Sequence, residues 1–75
     1  MKNLLSFIVK SIVASPGKVT ITEAKEGQGV KFTINLPQEE VGAVIGQQGK
    51  IIKAIKTILV LKARGKRFFI EVSEK

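Results

Sequence analysis

Apolar and polar residues recur along the chain with two different periods, and each period predicts one kind of element. Residues 3–14 carry apolar side chains at positions 4, 5, 8, 9 and 12, and this helical spacing predicts an amphipathic first helix. Ser15-Pro16-Gly17 ends the helix, because proline cannot continue it and glycine permits a turn. β-Branched residues then favour a strand over residues 18–25.

Strict alternation of apolar and polar residues marks the clearest strand, over residues 30–36. Residues 26–29 contain two glycines and predict the turn that joins this strand to the preceding one. One face of the strand is therefore expected to be buried and the other polar. Its apolar positions are Val30, Phe32, Ile34 and Leu36.

Two helices with a glycine-bounded connection between them are predicted next. Residues 37–40 begin the first one, since proline and two glutamates suit a helix N-terminus, and it runs over 41–45 until Gly46 stops it. The second helix runs from Lys50 to about Lys62. The apolar residues expected on its core side are Ile51, Ile52, Ile55, Ile58 and Leu59.

The remaining residues complete the fold prediction. Residues 63–65 predict a loop, and alternation over residues 67–72 predicts a last strand. The order is α-β-β-α-α-β, and the expected fold is α+β, with a three-stranded sheet and helices on one face. We expect one domain over residues 1–75, because the chain is too short to divide.

Charge is unevenly distributed along the chain. The formal net charge is +7, from 13 Lys and Arg against 6 Glu. Residues 41–70 hold seven of the basic residues and no acidic residue, whereas the other six lysines are balanced by the six glutamates. Such segregation favours an anionic partner, either nucleic acid or an anionic membrane surface.

Composition narrows the functional classes. The chain has no Cys, His or Asp, so it lacks thiol chemistry and the usual neutral-pH general base. We therefore expect a binding protein that is not an enzyme and has no cofactor and no small-molecule substrate. No apolar run approaches the ~18 residues of a membrane span, and we expect no membrane partner.

The connection Gly46-Gln47-Gln48-Gly49 is the main candidate for binding chemistry. Its glycines permit positive φ and allow another polymer's backbone to approach closely. The turn leads into a helix N-terminus, where amides lack intrahelical partners and the dipole is positive. With Lys50 nearby, these features predict a phosphate cradle, although many ordinary helix–helix turns also match Gly-x-x-Gly.

Residues 42–52 read Gly-Ala-Val-Ile-Gly-Gln-Gln-Gly-Lys-Ile-Ile, and this segment resembles the Val-Ile-Gly-x-x-Gly-x-x-Ile signature of KH domains. The element order resembles the type II, prokaryotic form. The length and leading helix resemble the small stand-alone bacterial KH proteins of the KhpA-like group, and the resemblance covers essentially the whole chain.

The resemblance implies single-stranded RNA binding in the cytoplasm, as an RNA chaperone or post-transcriptional regulator. It implies phosphate contacts at the four loop residues, a groove floor lined or supported by Val44, Ile45 and Ile52, and added charge from two lysines. The basic loop corresponds to the variable loop that closes the far side. The implied RNA-binding residues are Val44, Ile45, Gly46, Gln47, Gln48, Gly49, Lys50, Ile52, Lys53, Arg64, Lys66 and Arg67.

Modest affinity and loose sequence preference are expected. Both variable loop positions are Gln, where KH loops often carry a cation, and the predicted groove contains no aromatic residue to stack on bases. If three or four phosphates are neutralised, log K should fall with log[salt] at a slope of roughly −2 to −3.

Three alternatives remain open at this point. Residues 38–61 also read as a helix-turn-helix DNA binder, which would contain little strand. An interaction module, forming a homodimer or a heterodimer with a larger KH protein, would use the leftover apolar residues Val60, Leu61 and Phe69. A membrane-surface helix is disfavoured, because its apolar side is needed for the core.

Overall fold

The computed structural model describes residues 1–74, so Lys75, the last residue of the predicted domain, lies outside it. The order αββααβ is confirmed. The helices and strands are α1 (Lys2–Ile12), β1 (Thr20–Glu26), β2 (Gly29–Leu36), α2 (Gln38–Ile45), α3 (Lys50–Ala63) and β3 (Phe68–Glu74).

α1 ends two residues earlier than predicted. Val13 adopts an extended conformation and is buried, while Ile12, predicted on the core side, is largely exposed. The backbone N–H of Ser15 donates a hydrogen bond to the Glu40 carboxylate at 2.9 Å. Glu40 is buried. Besides its favourable position near the helix dipole, its carboxylate links the turn after α1 to the start of α2 through this hydrogen bond.

The three strands form one mixed sheet in the order β1-β2-β3. β1 pairs with β2 antiparallel and β2 pairs with β3 parallel, so both outer strands have a free edge. The alternation predicted for β2 is confirmed. The buried residues between the sheet and the helices are Leu5, Val9, Val13, Val19, Phe32, Ile34, Leu36, Val44, Ile55 and Leu59.

The sheet face opposite the helices is polar. Lys31 and Glu71 form an ion pair across β2 and β3 at 3.0 Å, and the hydrogen bond to Glu71 raises the pKa of Lys31. Asn35 donates a hydrogen bond to the Thr22 hydroxyl at 2.9 Å. The three strands also contradict the helix-turn-helix alternative, which predicted little strand.

The buried side of α3 is narrower than predicted. Ile55, Leu59 and Ala63 are buried at a spacing of four, whereas Ile51 is 39% exposed and Ile58 is 44% exposed. The prediction that all the isoleucines of this helix belong to the core was therefore wrong. The physical reason is that the core contacts a single stripe of α3, which leaves the isoleucines beside that stripe in contact with solvent.

Candidate nucleic-acid interface

The turn between α2 and α3 is built from backbone in the left-handed region. α2 ends at Gly46, which has φ 74° and ψ 179°. A single turn of 3-10 helix follows, in which Gln48 has φ 56° and Gly49 has φ 74°. A side chain at positive φ is strained, so Gln48 holds a conformation that glutamine seldom adopts.

The two glycines of the turn are required for different reasons. A Cβ placed on Gly46 would lie 2.6 Å from Ile51 Cγ1, so this position has neither the space nor the backbone angles for a side chain. A Cβ on Gly49 would meet only Ile52 Cγ2, at 3.8 Å. The space beside Gly49 is therefore open to the approach of another molecule.

The turn presents backbone donors to solvent. Among residues 1–74, the N–H groups of Gln47 and Gln48 make no backbone hydrogen bond, and both residues are exposed. The N–H of Gly46 is occupied by the Gly42 carbonyl at 2.8 Å, while that of Gly49 reaches the Gly46 carbonyl only at 3.4 Å. At least two amides are thus free to bind an anion.

Two flanks of α3 border its buried stripe. At 3.6 residues per turn, Lys53, Lys56 and Val60 lie together on one side; we call this side the cationic flank. All three side chains are exposed. The other side, which we call the apolar flank, consists of Ile51, Ala54, Ile58 and Leu61.

A cleft of about 600 Å³ lies between the cationic flank and β3. Lys56, Lys66 and Arg67 supply its charge. The apolar residues that line it are Val60, Phe68, Phe69 and Ile70. Phe68 and Phe69 bring aromatic rings to this cleft. The predicted groove of Val44, Ile45 and Ile52, which was expected to contain no aromatic residue, contributes no residue to the lining of the cleft.

The positive charge of residues 41–70 remains unneutralised. Within the described part of the chain, residues 1–74, the single side-chain ion pair joins Lys31 to Glu71. None of the seven cations between Lys50 and Arg67 takes part in it. The loop at one end of α3 and the basic segment after its other end are about 21 Å apart along the helix, and the cationic flank connects them.

The structure does not bring every predicted site residue to this surface. Val44 is 0% exposed, so it can support the site but cannot contact a ligand, whereas Ile45 and Ile52 are half-buried. Arg64, which has φ 53°, lines a second, smaller pocket that also includes Glu23. Arg64 does not line the main cleft, although Lys66, two residues away, lines both pockets.

Residues 1–74 contain neither a metal-binding cluster nor a membrane-spanning helix. No group of three or more acidic, Cys or His side chains is arranged to hold a metal ion. The helices of this part of the chain are also too short or too polar to cross a bilayer.

A Gly-x-x-Gly turn between two helices, packed on a three-stranded mixed sheet in the order αββααβ, defines a type II KH domain. The family model described as "KhpA/KhpB, KH domain" matches residues 2–72. The chain therefore belongs to the KhpA/KhpB family of KH domains.

Several relatives match over most of their length. RNA-binding protein KhpA of Clostridium acetobutylicum is 38% identical over 74 residues, which cover 96% of this chain and 99% of the relative. RNA-binding protein KhpA of Aquifex aeolicus is 34% identical over 76 residues, with 99% and 96% covered. The protein of the same name from Chlamydia pneumoniae is 35% identical over 60 residues, with 80% and 77% covered.

Proposed function

We propose that this chain binds single-stranded RNA and holds the RNA backbone at the turn between α2 and α3. One observation carries the proposal: the exposed amides of Gln47 and Gln48 have no backbone partner within residues 1–74. They precede a helix whose N-terminal dipole favours a phosphate. The names of the relatives, all RNA-binding protein KhpA, support the same ligand.

The proposed path of the RNA runs from the turn along the cationic flank. Lys50 and Lys53 lie in the first turn of α3 and would neutralise phosphates next to the amides. The half-buried Ile45 and Ile52 would contact bases, with Val44 beneath them. Lys66 and Arg67 would bind the strand at the far end of the cleft.

Weak sequence preference follows from this arrangement. Amide donors and lysines bind phosphates, which carry no sequence information, and the loop itself has no charged side chain. This supports action as an RNA chaperone or post-transcriptional regulator in the cytoplasm. We propose a single KH module over residues 1–75 that binds without catalysing a reaction.

Replacing both loop glutamines by aspartate tests the proposal. Gln47→Asp/Gln48→Asp should fold normally, because Gln47 and Gln48 are exposed and aspartate tolerates positive φ. Two carboxylates beside phosphates should weaken RNA binding by about tenfold or more. Fluorescence anisotropy with a labelled single-stranded RNA measures the affinity, and circular dichroism measures the folding.

The chain offers a matched control in its two other glutamines. Gln28→Asp/Gln38→Asp makes the same change in net charge at exposed positions away from the turn. This variant should bind within about twofold of the native chain, since charges beyond a Debye length of ~8–10 Å are largely screened. Equal losses in both variants, or no loss in the loop variant, would contradict the proposed site.

We also propose that the apolar flank of α3 pairs with a second copy of the chain. Ile51, Ala54, Ile58 and Leu61 follow one another at spacings of three, four and three, the pattern of paired helices. Leu61 is 79% exposed, so this flank leaves a large apolar side chain in water. A larger KH protein of the KhpB kind is the second candidate partner, as the joint family name suggests.

The spacing supports an antiparallel pairing about a two-fold axis. An axis between positions 54 and 58 sets Ile51 opposite Leu61, and Ala54 opposite Ile58, in both copies. Val60 and Phe69 fall outside this surface, since they line the cleft instead. Sedimentation equilibrium of the native chain should therefore give a dimer; a monomer at every concentration would contradict the pairing.

A further inference from the structure

Phe69 is the one aromatic residue that β3 directs away from the helices. It is aligned with Lys31 of β2, and the next β3 residue on the same face is Glu71. Phe69 is 52% exposed. The other β2 and β3 positions on that face are polar. They are Lys31, Thr33, Asn35, Glu71 and Ser73.

The ring of Phe69 also borders the main cleft. β3 is an edge strand, so a side chain on its outer face can reach the mouth of the space between β3 and α3. Phe69 lines that space with Lys56, Lys66 and Arg67, and the described lining contains no carboxylate. An exposed aromatic residue thus lines the same cleft as three cations, at the far end of the cationic flank.

We propose that Phe69 is a stacking platform for a nucleobase of the bound RNA, and that the RNA site continues over the edge of β3 onto the outer face of the sheet. The inference rests on the proposed RNA binding. Aromatic rings stack with every base, and basic side chains beside them hold the backbone. Stacking on Phe69 would raise affinity without adding base specificity.

A protein partner fits this ring less well. The neighbours of Phe69 on the outer face are polar or charged, so a protein contact there would bury a single ring, far less than a stable interface of roughly 800 Å² per partner. The uncancelled positive charge beside the ring favours an anionic polymer. The apolar flank of α3, in contrast, presents four apolar residues along one side of the helix.

The experiment uses the absence of tryptophan and tyrosine from the chain. Phe69→Trp places a single fluorophore at the proposed platform, and stacking of a base should quench its emission. Phe7→Trp is the matched control, because Phe7 is also exposed but lies on α1. Titration with a single-stranded poly(U) of about ten nucleotides should quench the first variant and leave the second unchanged.

Affinity measured by anisotropy completes the test. Phe69→Ala should weaken binding of the same RNA about tenfold and Phe69→Trp should restore it. An RNA of about four nucleotides, the number that a Gly-x-x-Gly loop clamps, should bind both variants equally. Sedimentation of Phe69→Ala should match that of the native chain.

The outcomes separate this inference from the proposed function. If anisotropy shows RNA binding by both tryptophan variants but Phe69→Trp is not quenched, the platform is wrong and RNA binding stands. If no variant binds RNA, both proposals fail. If Phe69→Ala changes the oligomeric state and leaves RNA affinity unchanged, Phe69 belongs to a protein interface and the platform is overturned.

Discussion

The two flanks of α3 differ in chemistry, although both belong to the same 14 residues. The cationic flank carries Lys53 and Lys56, whereas the apolar flank carries Ile51, Ile58 and Leu61. The cationic flank borders a cleft that ends at the basic segment before β3. The apolar flank carries half-exposed or exposed side chains. One helix thus supplies a core stripe and two surfaces of different chemistry, since successive residues point about 100° apart.

The two binding modes that we propose for this helix should respond oppositely to salt. Phosphate binding at the cationic flank should weaken as salt rises, because counterions compete for the phosphates. Pairing at the apolar flank should strengthen, because salt screens the repulsion between Lys50 and Lys62, which border that flank. Substitutions on each flank should separate the two binding modes, and Gly46 is the position on which both depend.

The largest effect is expected at Gly46, where Ile51 of the apolar flank lies against the turn proposed to bind RNA. Gly46→Ala should lower the free energy of unfolding by about 2–5 kcal/mol, since the left-handed backbone costs ~1–2 kcal/mol and overpacking a further ~1–3 kcal/mol. Urea denaturation measures the change. RNA binding should fall with it, because the turn must shift.

Gly42 provides the control for this substitution. It lies within α2, and a Cβ there would meet nothing within 4 Å, so neither close packing nor strain requires glycine. Gly42→Ala should raise the free energy of unfolding by about 1 kcal/mol. Similar destabilisation by the two substitutions would show that the contact of Gly46 with Ile51 has no special role.

A charge placed on each flank in turn should separate dimerisation from RNA binding. Ile58→Asp should raise the dimer dissociation constant at least about tenfold, because pairing would bury a carboxylate, and should leave RNA affinity within about twofold. Sedimentation and anisotropy measure the two effects. Val60→Asp puts a carboxylate into the cleft and leaves the apolar flank intact. It should therefore weaken RNA binding at least about tenfold and leave the dimer dissociation constant within about twofold.

If Ile58→Asp and Val60→Asp weaken the same activity, the two flanks form one surface and the comparison fails. Both positions are exposed, so the two variants should fold. Circular dichroism checks this before either activity is compared.

The smallest effect is expected from removing charge along the cationic flank. Lys53→Gln/Lys56→Gln should reduce the slope of log K against log[salt] by about 1.4, the value for two phosphate contacts on a single strand. Lys2→Gln/Lys10→Gln removes the same charge from α1 and should leave the slope unchanged. Equal slopes for the native chain and the first variant would place the RNA elsewhere.

Elements with a strong local signal were predictable from the sequence. The alternation of residues 30–36 predicted β2 nearly to its bounds, and the element order is confirmed. The Gly-x-x-Gly motif predicted a turn between two helices, because glycine at positive φ is a local requirement. The prediction that amides of this turn lack an intrahelical partner agrees with the N–H groups of Gln47 and Gln48, which make no backbone hydrogen bond within residues 1–74.

Predictions that depended on neighbouring elements failed more often. The isoleucines of α3 were all assigned to the core, but the width of the buried stripe depends on how α1 and the sheet pack against it. Phe69 was not recognised as part of a cleft, because only the edge position of β3 brings it to the mouth. Arg64 was grouped with Lys66 and Arg67, and it lines the second pocket together with Lys66 but does not line the main cleft.

The order of the elements, the position of the glycine turn and the concentration of positive charge in residues 41–70 were all evident from the amino-acid sequence. These properties are local, since they depend on residue type and spacing along one segment. The flank of α3 that faces the cleft, the isoleucines that stay exposed and the aromatic residue beside the cations became evident only from the packing of the helices on the sheet. Those properties depend on contacts between segments far apart in sequence, whose geometry a periodic pattern does not contain.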